Sequence, residues 1–324
     1  MMQPKKKPLP TNLTIDAQRK LVFHPATNPT GHTPFEDAQM HRFEPDAAAW
    51  SQVKAWWLAE ASWLAYWEDE SEIARVYREQ AGLSSCDLIA AKGTECVLAW
   101  CPAFAVAAFR GTQPDDWQDI FNDATFATIP WDIGHVHGGF AHALDVAGPD
   151  LDRAIDRLPS GCRVWFTGHS LGAALATLAA YRYRGAAGGV CTFGSPLVGN
   201  GVFAGLFGAA FARRSVRYVN NNDVVTHVPP EPLALPNGLF THVDHLRSIN
   251  KDGQVGTTAG ALPHFVQDVF GRANVLLEMI ALHEAGVRLS LPAALSDHTP
   301  LYYVLHYWND FAAHAPDDRG TSPT

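Results

Sequence analysis

The chain has 324 residues, of which 47% are hydrophobic and 18% charged, and this balance is typical of a folded globular protein rather than a disordered or fibrous one. Its formal net charge of −9 argues against a nucleic-acid partner, because phosphate backbones require a basic surface, and against docking on anionic lipid by charge alone. The cysteines form no CxxC pair, which favours free thiols over a disulfide framework or a metal site; they are Cys86, Cys96, Cys101, Cys162 and Cys191.

The N-terminal segment, residues 1–45, is rich in Pro, Thr, His and Asn without periodicity, so the sequence predicts an irregular leader wrapped on the surface or partly disordered. It contains lysines but no apolar core of signal-peptide length, and no later stretch is long and apolar enough to span a bilayer. We therefore expect synthesis in the cytoplasm, a reducing compartment that suits free thiols, and leave export by a signal-less route open.

A helix is predicted to begin near Pro45, because apolar residues recur there at steps of three and four. They are Trp50, Val53, Trp57, Ala61 and Leu64, and we interpret the tryptophans as core packing rather than as a stacking site for a ligand. Further along the chain, residues 95–101 and 104–110 are apolar runs separated by Pro102-Ala103, which predicts an antiparallel β-hairpin.

Short strands alternate with helices in the rest of the chain, which is typical of a mostly parallel central sheet with helices on both faces. The predicted elements are a strand at 163–167, a helix from Leu171, strands at 190–194 and 215–219, and an amphipathic helix at 264–285. No linker favours two domains, so we predict a single α/β domain over residues 46–315 and a polar tail at 316–324.

The candidate nucleophile is Ser170, in the middle of Gly168-His169-Ser170-Leu171-Gly172, which matches the pattern G-x-S-x-G. In this pattern a sharp turn from strand to helix holds the serine in a strained backbone conformation, and the flanking glycines let strand and helix pass closely. The hydroxyl is then exposed at a helix N-terminus, where developing negative charge is favoured. An apolar strand before the motif and an alanine-rich helix after it supply the context that an α/β-hydrolase fold requires.

Several further motifs lie in a fixed order across residues 50–310. They are Phe109-Arg110-Gly111-Thr112, Val136-His137-Gly138-Gly139-Phe140, Thr167 with the serine motif, Thr192-Phe193-Gly194-Ser195-Pro196, Asn222-Asp223-Val224-Val225, Pro229-Pro230, Asp297-His298 and Tyr302-Tyr303. As an ordered set they resemble the class 3, or fungal-type, triacylglycerol lipases. The resemblance implies an α/β-hydrolase fold with an N-terminal β-hairpin and a serine triad.

The resemblance implies that Asp223 is the triad acid and His298 the base. Their order along the chain, serine then acid then histidine, is that of α/β-hydrolases. His298 lies in a loop signature just before an aromatic run, where the base is expected, and His306 is the alternative although it falls inside that run. His264 and His283 fall in the predicted 264–285 helix and fit the role less well.

The oxyanion hole needs two donors aimed at the oxygen of the tetrahedral intermediate. The backbone N–H of Leu171 is the first donor by the geometry of the serine turn. The second, implied by the resemblance, is Thr112, which follows the strand ending at Arg110 and offers both a backbone N–H and a hydroxyl.

The resemblance also implies a lid after Thr112, within residues 114–123. Trp117, Ile120 and Phe121 are spaced to share one face of a short helix, which predicts an apolar underside over the serine and an acidic outer face. Fixed capping of the core by Trp117 is the alternative. The family pattern also has an aspartate that supports the oxyanion residue. Asp119 is one residue too close to Trp117 and Asp123 matches the pattern better, and neither is assigned.

The implied activity is hydrolysis of carboxylic esters of lipids, foremost acylglycerols, through an acyl-enzyme without metal or organic cofactor, as in lipid degradation. The expected partners are a lipid or other ester substrate and, transiently, a lipid interface. A phospholipase acting on membrane lipids and an inactive hydrolase fold used as a binding module are the alternatives, with a serine peptidase a third. The leader and an insertion at 250–297 are not accounted for by the family.

Overall fold

The computed structural model describes residues 4–46, 50–111, 127–229, 238–243, 245–256 and 293–314. Several predicted features lie outside the described residues. They are Thr112, the lid residues Trp117, Ile120 and Phe121, the helix at 264–285, the tail at 316–324 and most of the 250–297 insertion.

The centre of the molecule is an eight-stranded sheet in the order β1-β2-β3-β6-β7-β9-β11-β12. Neighbouring strands run parallel from β3 to β11, while β1, β2 and β12 are antiparallel to their neighbours. Its strands are β1 (Ser85–Ala91), β2 (Thr94–Trp100), β3 (Phe104–Phe109), β6 (Arg163–His169), β7 (Ala187–Phe193), β9 (Ser215–Asn220), β11 (His245–Ile249) and β12 (Val255–Gly256). The predicted mostly parallel sheet is confirmed.

A smaller sheet of four strands, in the order β10-β8-β5-β4, lies beside the large one. Its strands are β4 (Thr128–Pro130), β5 (His135–His137), β8 (Gly199–Asn200) and β10 (Phe240–Thr241). The pairing of Val136 with Gly199 joins its two halves.

Helices cover both faces of the large sheet. They are α1 (Ile15–Phe23), α2 (Gln52–Leu64), α3 (Glu70–Glu79), α4 (Gly138–Asp156), α5 (Leu171–Arg182), α6 (Gly201–Phe211), α7 (Ala293–Ser296) and α8 (Pro300–His314). Alternate side chains of β3 enter opposite cores, because Val106 packs with α2 and α8 while Ala107 packs with α4 and α5. Burial on both faces explains why the central strands read as continuous apolar runs. No helix among the described residues is long and apolar enough to cross a membrane.

The predicted β-hairpin is confirmed as β2 and β3, in which Trp100 pairs with Ala105. Strand β1, which pairs with β2 on its other side, was not predicted. Its residues are mostly half-buried rather than strictly alternating, so the sequence pattern that marks a strand is weak there.

The prediction of an irregular leader over residues 1–45 is wrong for residues 15–23, which form α1. Thr14 caps this helix by accepting a hydrogen bond from the N–H of Ala17, and Leu21 is buried in the main core. The irregular part that follows is also fixed, because the buried His32 contacts the buried carboxylate of Glu60 on α2 at 2.9 Å. The leader therefore belongs to the same folded body as the sheet.

Candidate active site

Ser170 lies at the turn between β6 and α5 with φ +60° and ψ −129°. A positive φ is strained for a residue with a Cβ and needs support from its surroundings. One support is the hydrogen bond from the N–H of Ser170 to the carbonyl oxygen of Phe193 on the neighbouring strand, at 3.0 Å. The turn has the conformation that the G-x-S-x-G pattern predicts.

The two glycines of the motif permit this turn. A Cβ on Gly168 would lie 2.2 Å from the carbonyl oxygen of Gly172, and a Cβ on Gly172 would lie 2.2 Å from the carbonyl oxygen of Phe109. Both distances are far below van der Waals contact, so any larger residue would push α5 away from β6 or from β3. The sequence spacing thus reflects backbone packing.

Asp223 and His298 form a buried pair. The Nδ1 atom of His298 lies 2.9 Å from Oδ1 and 2.8 Å from Oδ2 of Asp223, and both residues are at most 3% exposed. Asp223 follows β9, and His298 lies between α7 and α8. The structure therefore brings these two predicted residues together across 75 positions of the chain.

The alternative base, His306, lies elsewhere. It is on α8 beside the turn at Gly253, where a glycine Cβ would come within 2.4 Å of its Nδ1 atom. Burial lowers the pKa of His306, and its ring stacks on that of Tyr302. Nothing in these contacts brings His306 to Asp223.

Two further groups fix the carboxylate of Asp223. The hydroxyl of Tyr303 donates to Oδ2 at 2.6 Å, and the N–H of Val225 donates to Oδ1 at 3.0 Å. Burial first, and the charge of Asp223 second, raise the pKa of Tyr303 well above its usual value, so its hydroxyl keeps the proton that it donates. Gly194, at φ +57°, leaves the space for this pair, since a Cβ there would lie 2.7 Å from Oδ2 of Asp223.

His169 connects the serine turn to the loop that carries the base. Its Nε2 atom lies 2.5 Å from the carbonyl oxygen of His298, and its Nδ1 atom lies 2.8 Å from the hydroxyl of Tyr66. Burial, aided by the nearby His298, lowers the pKa of His169 well below its ordinary value, so the ring is neutral. Because a carbonyl can only accept, we assign the proton of His169 to Nε2 and infer that Tyr66 donates to Nδ1.

The two rings of His169 and His298 also lie 4.3 Å apart between centroids. Since His169 precedes Ser170 directly, this contact brings the predicted base close to the serine turn. Neither His169 nor Tyr66 was predicted as a site residue. His169 has a signal, its place inside the serine motif, whereas Tyr66 follows the apolar helix α2 and cannot be distinguished from core by its sequence context.

The predicted oxyanion residues are described in part. Leu171 is the first residue of α5, so its N–H lies in the first turn of that helix, where backbone N–H groups have no partner within the helix. Gly111 lies directly against the serine turn, since a Cβ there would come within 2.6 Å of the carbonyl oxygen of His169. Thr112 itself lies outside the described residues, but the chain reaches the serine turn one residue before it.

A strained serine between a parallel strand and a helix, in a sheet whose later loops supply a buried His–Asp pair, defines an α/β-hydrolase. Residues 106–233, which include the serine turn and Asp223, match the model of the lipase (class 3) family. The family match thus covers the segment from β3 to the loop after Asp223.

One curated relative is phospholipase A(1) DAD1 of Arabidopsis thaliana, 28% identical over 188 residues, which are 55% of this chain and 40% of that protein. The chain therefore spans about two fifths of the length of that relative. Solved structures with a similar fold include the Lip2 lipase of Yarrowia lipolytica, 22% identical with a TM-score of 0.43, covering 52% of this chain and 68% of that one. The triacylglyceride lipase of Rhizomucor miehei is 20% identical with a TM-score of 0.46, and the match covers 79% of this chain and 94% of that one.

Proposed function

We propose that the chain hydrolyses carboxylic esters of lipids, with Ser170 as nucleophile, His298 as general base and Asp223 as the carboxylate that orients the base. The observation that carries the proposal is the buried Asp223–His298 pair, with Nδ1 2.8 Å from Oδ2. The ring of His169, the residue before the strained Ser170, lies 4.3 Å from that of His298. A serine hydroxyl is a weak nucleophile until a base removes its proton, and a base so buried needs a partner on its other nitrogen.

In the first half of the reaction, the Oγ of Ser170 attacks the ester carbonyl and its proton passes to Nε2 of His298. The Nδ1–H of His298 donates to Asp223, which stabilises the charged ring. The oxyanion forms at the N-terminus of α5, where the N–H of Leu171 and, in this proposal, Thr112 donate to it. The tetrahedral intermediate then breaks its bond to the alcohol oxygen, which leaves with the proton held on Nε2.

In the second half, water replaces the alcohol. His298 takes a proton from the water as it attacks the acyl-enzyme, and the same proton returns to Oγ of Ser170 when the carboxylic acid leaves. Every proton is thus carried by His298, and Asp223 remains an acceptor throughout. The residues that hold Asp223, above all Tyr303, support that role because they keep its two oxygens oriented toward Nδ1.

The proposed substrates are acylglycerols, and the family match supports them. Phospholipid is the second candidate, because the relative that is 28% identical over 188 residues is named a phospholipase A(1). An inactive hydrolase fold that only binds ligand is the remaining alternative; the intact serine, histidine and aspartate weigh against it.

The test is a panel of substrates: p-nitrophenyl esters of increasing chain length, a triacylglycerol emulsion and phosphatidylcholine vesicles. We expect hydrolysis of esters, with a preference for acylglycerol emulsion over phospholipid. Ser170→Ala is the negative control, and Ser84→Ala, a surface serine that donates to the carbonyl oxygen of Trp100, is the matched control. Preference for vesicles would favour the phospholipase alternative, and wild-type protein inactive on every substrate would favour a binding module.

A further inference from the structure

Asp297, the residue before the base, is bound to the turn that precedes the acid. Its carboxylate Oδ2 accepts a hydrogen bond from Nδ2 of Asn221 at 3.0 Å and one from the N–H of Asn222 at 3.2 Å. Its backbone carbonyl oxygen accepts from Nδ2 of Asn220 at 2.9 Å. Three consecutive asparagines therefore hold the loop of His298 against the turn that leads into Asp223.

Among the described residues, the groups that face Asp297 include no cation. They are Asp223 on the acid turn, His298 beside it, Tyr302 and Tyr303 on α8, and His306 across a cavity of about 400 Å³. None of the described residues that line this cavity is a lysine or arginine, and its far wall is the uncharged segment 9–13. Burial lowers the pKa of His306, so it brings no charge to the cavity near neutral pH.

Keeping the carboxylate of Asp297 ionised therefore costs folding free energy. Burial raises the pKa of Asp297 to about 6, with the charge of Asp223 adding to it and the two asparagine donors acting in the opposite direction. A carboxyl whose pKa is raised on folding stabilises the fold only while it is protonated, and that contribution is lost as the pH rises through about 6. Stability alone thus gives no reason for a carboxylate here.

We propose that Asp297, when ionised, is a positioning residue that holds the base loop against the acid turn and so aligns His298 with Asp223. The proposal rests on the proposed function, in which that alignment directs Nε2 of His298 toward the serine. It adds to that function a second ionisation that the active state requires. It also explains the stability cost, since active sites often retain groups that reduce stability.

The physical step is the loss of the negative charge of Asp297. Both asparagine donors bond to Oδ2, and hydrogen bonds to an ionised carboxylate are stronger than those to a neutral one. A proton on the free Oδ1 leaves Oδ2 an acceptor but removes this charge assistance. Protonation therefore weakens the contact between the loops. Because small misplacements of a catalytic group are costly, we expect about a tenfold fall in kcat when the contact is lost, with little change in KM.

The experiment compares wild type with Asp297→Asn, Asn221→Ala and the control Asp87→Asn, which removes an exposed carboxylate paired with Arg157 at 2.6 Å. Three quantities are measured: kcat/KM on a soluble ester against pH, Tm at pH 8, and the downfield proton resonance of the His298–Asp223 hydrogen bond. The resonance reports alignment without turnover, so it remains informative for an inactive protein.

In wild type, the acid limb of log kcat/KM should be steeper than a slope of one near pH 6, because protonation of Asp297 adds a fall of up to about tenfold to the fall caused by protonation of the base. Asp297→Asn should reduce kcat about tenfold, bring the slope in that range to one, broaden the resonance and raise Tm at pH 8. Asn221→Ala should move the acid limb to higher pH, since it removes a donor that lowers the pKa of Asp297. The control should match wild type throughout.

The proposal is overturned if Asp297→Asn keeps the wild-type slope, kcat and resonance, or if it lowers Tm at pH 8 while kcat is unchanged. Absence of turnover by wild type, with the resonance still altered in Asp297→Asn, would instead overturn the proposed function and leave the positioning role standing. The two failures are therefore distinguishable.

Discussion

Asp223, the proposed triad acid, illustrates how much of a buried carboxylate's behaviour is set by its neighbours. It is fully buried and accepts hydrogen bonds from His298, Tyr303 and Val225. A buried carboxylate without partners would take up a proton rather than remain charged. The three donors give the charge a fixed direction, which is what a base needs from its orienting acid.

Tyr303→Phe tests this directly. The change removes a donor to Asp223 and also the acceptor for the N–H of Asn220, which lies 2.9 Å from the tyrosine oxygen. Since a lost buried partner costs about 1–3 kcal/mol, we expect the folded protein to be destabilised by that amount. If the transition state loses a similar free energy, kcat/KM falls about tenfold. Tyr302→Phe, whose hydroxyl donates to the carbonyl of Pro10, is the control. Equal activity of the two variants would contradict the account.

His298 and His306 should respond differently to replacement by alanine. His298→Ala removes the proposed base, so ester hydrolysis should fall by several orders of magnitude. Its Tm should also fall, because the buried Asp223 loses a partner. His306→Ala removes a ring that stacks on Tyr302, so Tm should fall while the activity of the folded protein persists. The two variants are compared by their rates of labelling with a fluorophosphonate and by their melting curves. The opposite pattern would transfer the role of base to His306.

At the scale of elements, the strongly apolar segments were predictable and the weakly patterned ones were not. Strands β3, β6, β7 and β9 were predictable because burial on both faces gives them short runs rich in apolar and β-branched residues. Helix α1 has a mixed surface and depends on its cap at Thr14 and on packing of Leu21, neither of which produces a long periodic pattern. Local pattern is decisive only where local burial is complete.

The predicted lid, residues 114–123, stays a prediction with its own test. Trp117→Ala should lower activity on long-chain emulsions more than on soluble short-chain esters, because an apolar underside is favoured only when an apolar phase covers it. Burial of three such side chains is worth several kcal/mol at about 25 cal/mol per Å². Trp100→Ala is the control, since Trp100 ends β2 at the edge of the sheet away from the serine. An equal loss on both substrates would mean that Trp117 is core packing.

At the scale of the whole molecule, the active site depends on contacts that no local pattern encodes. The motifs predicted Ser170, Asp223 and His298 as residues, and the topology explains their meeting, because parallel strands β6, β7 and β9 end at one edge of the sheet. The roles of Tyr66, His169 and Asp297 were not predicted. Each acts through a partner more than 70 positions away, so its function appears only when the chain is folded.

All five cysteines of the chain should be free thiols. None is bonded to another in the structure, and burial raises the pKa of Cys86 to about 12. Thiol titration of denatured, unreduced protein should find about five reactive groups, while the native protein should react slowly because thiolates are the reactive form. A result of one or three would reveal disulfides and would contradict the proposal of a reducing compartment.

The central claim, that Ser170 is the nucleophile of an ester hydrolase, is tested most directly by covalent labelling. Wild-type protein is treated with a fluorophosphonate, and the modified peptide is identified by mass spectrometry. The account predicts a single adduct on Ser170, loss of ester hydrolysis in proportion to labelling, and no adduct on Ser170→Ala with its fold intact. An adduct on another residue, or Ser170→Ala that keeps more than a few per cent of wild-type hydrolysis, would contradict it.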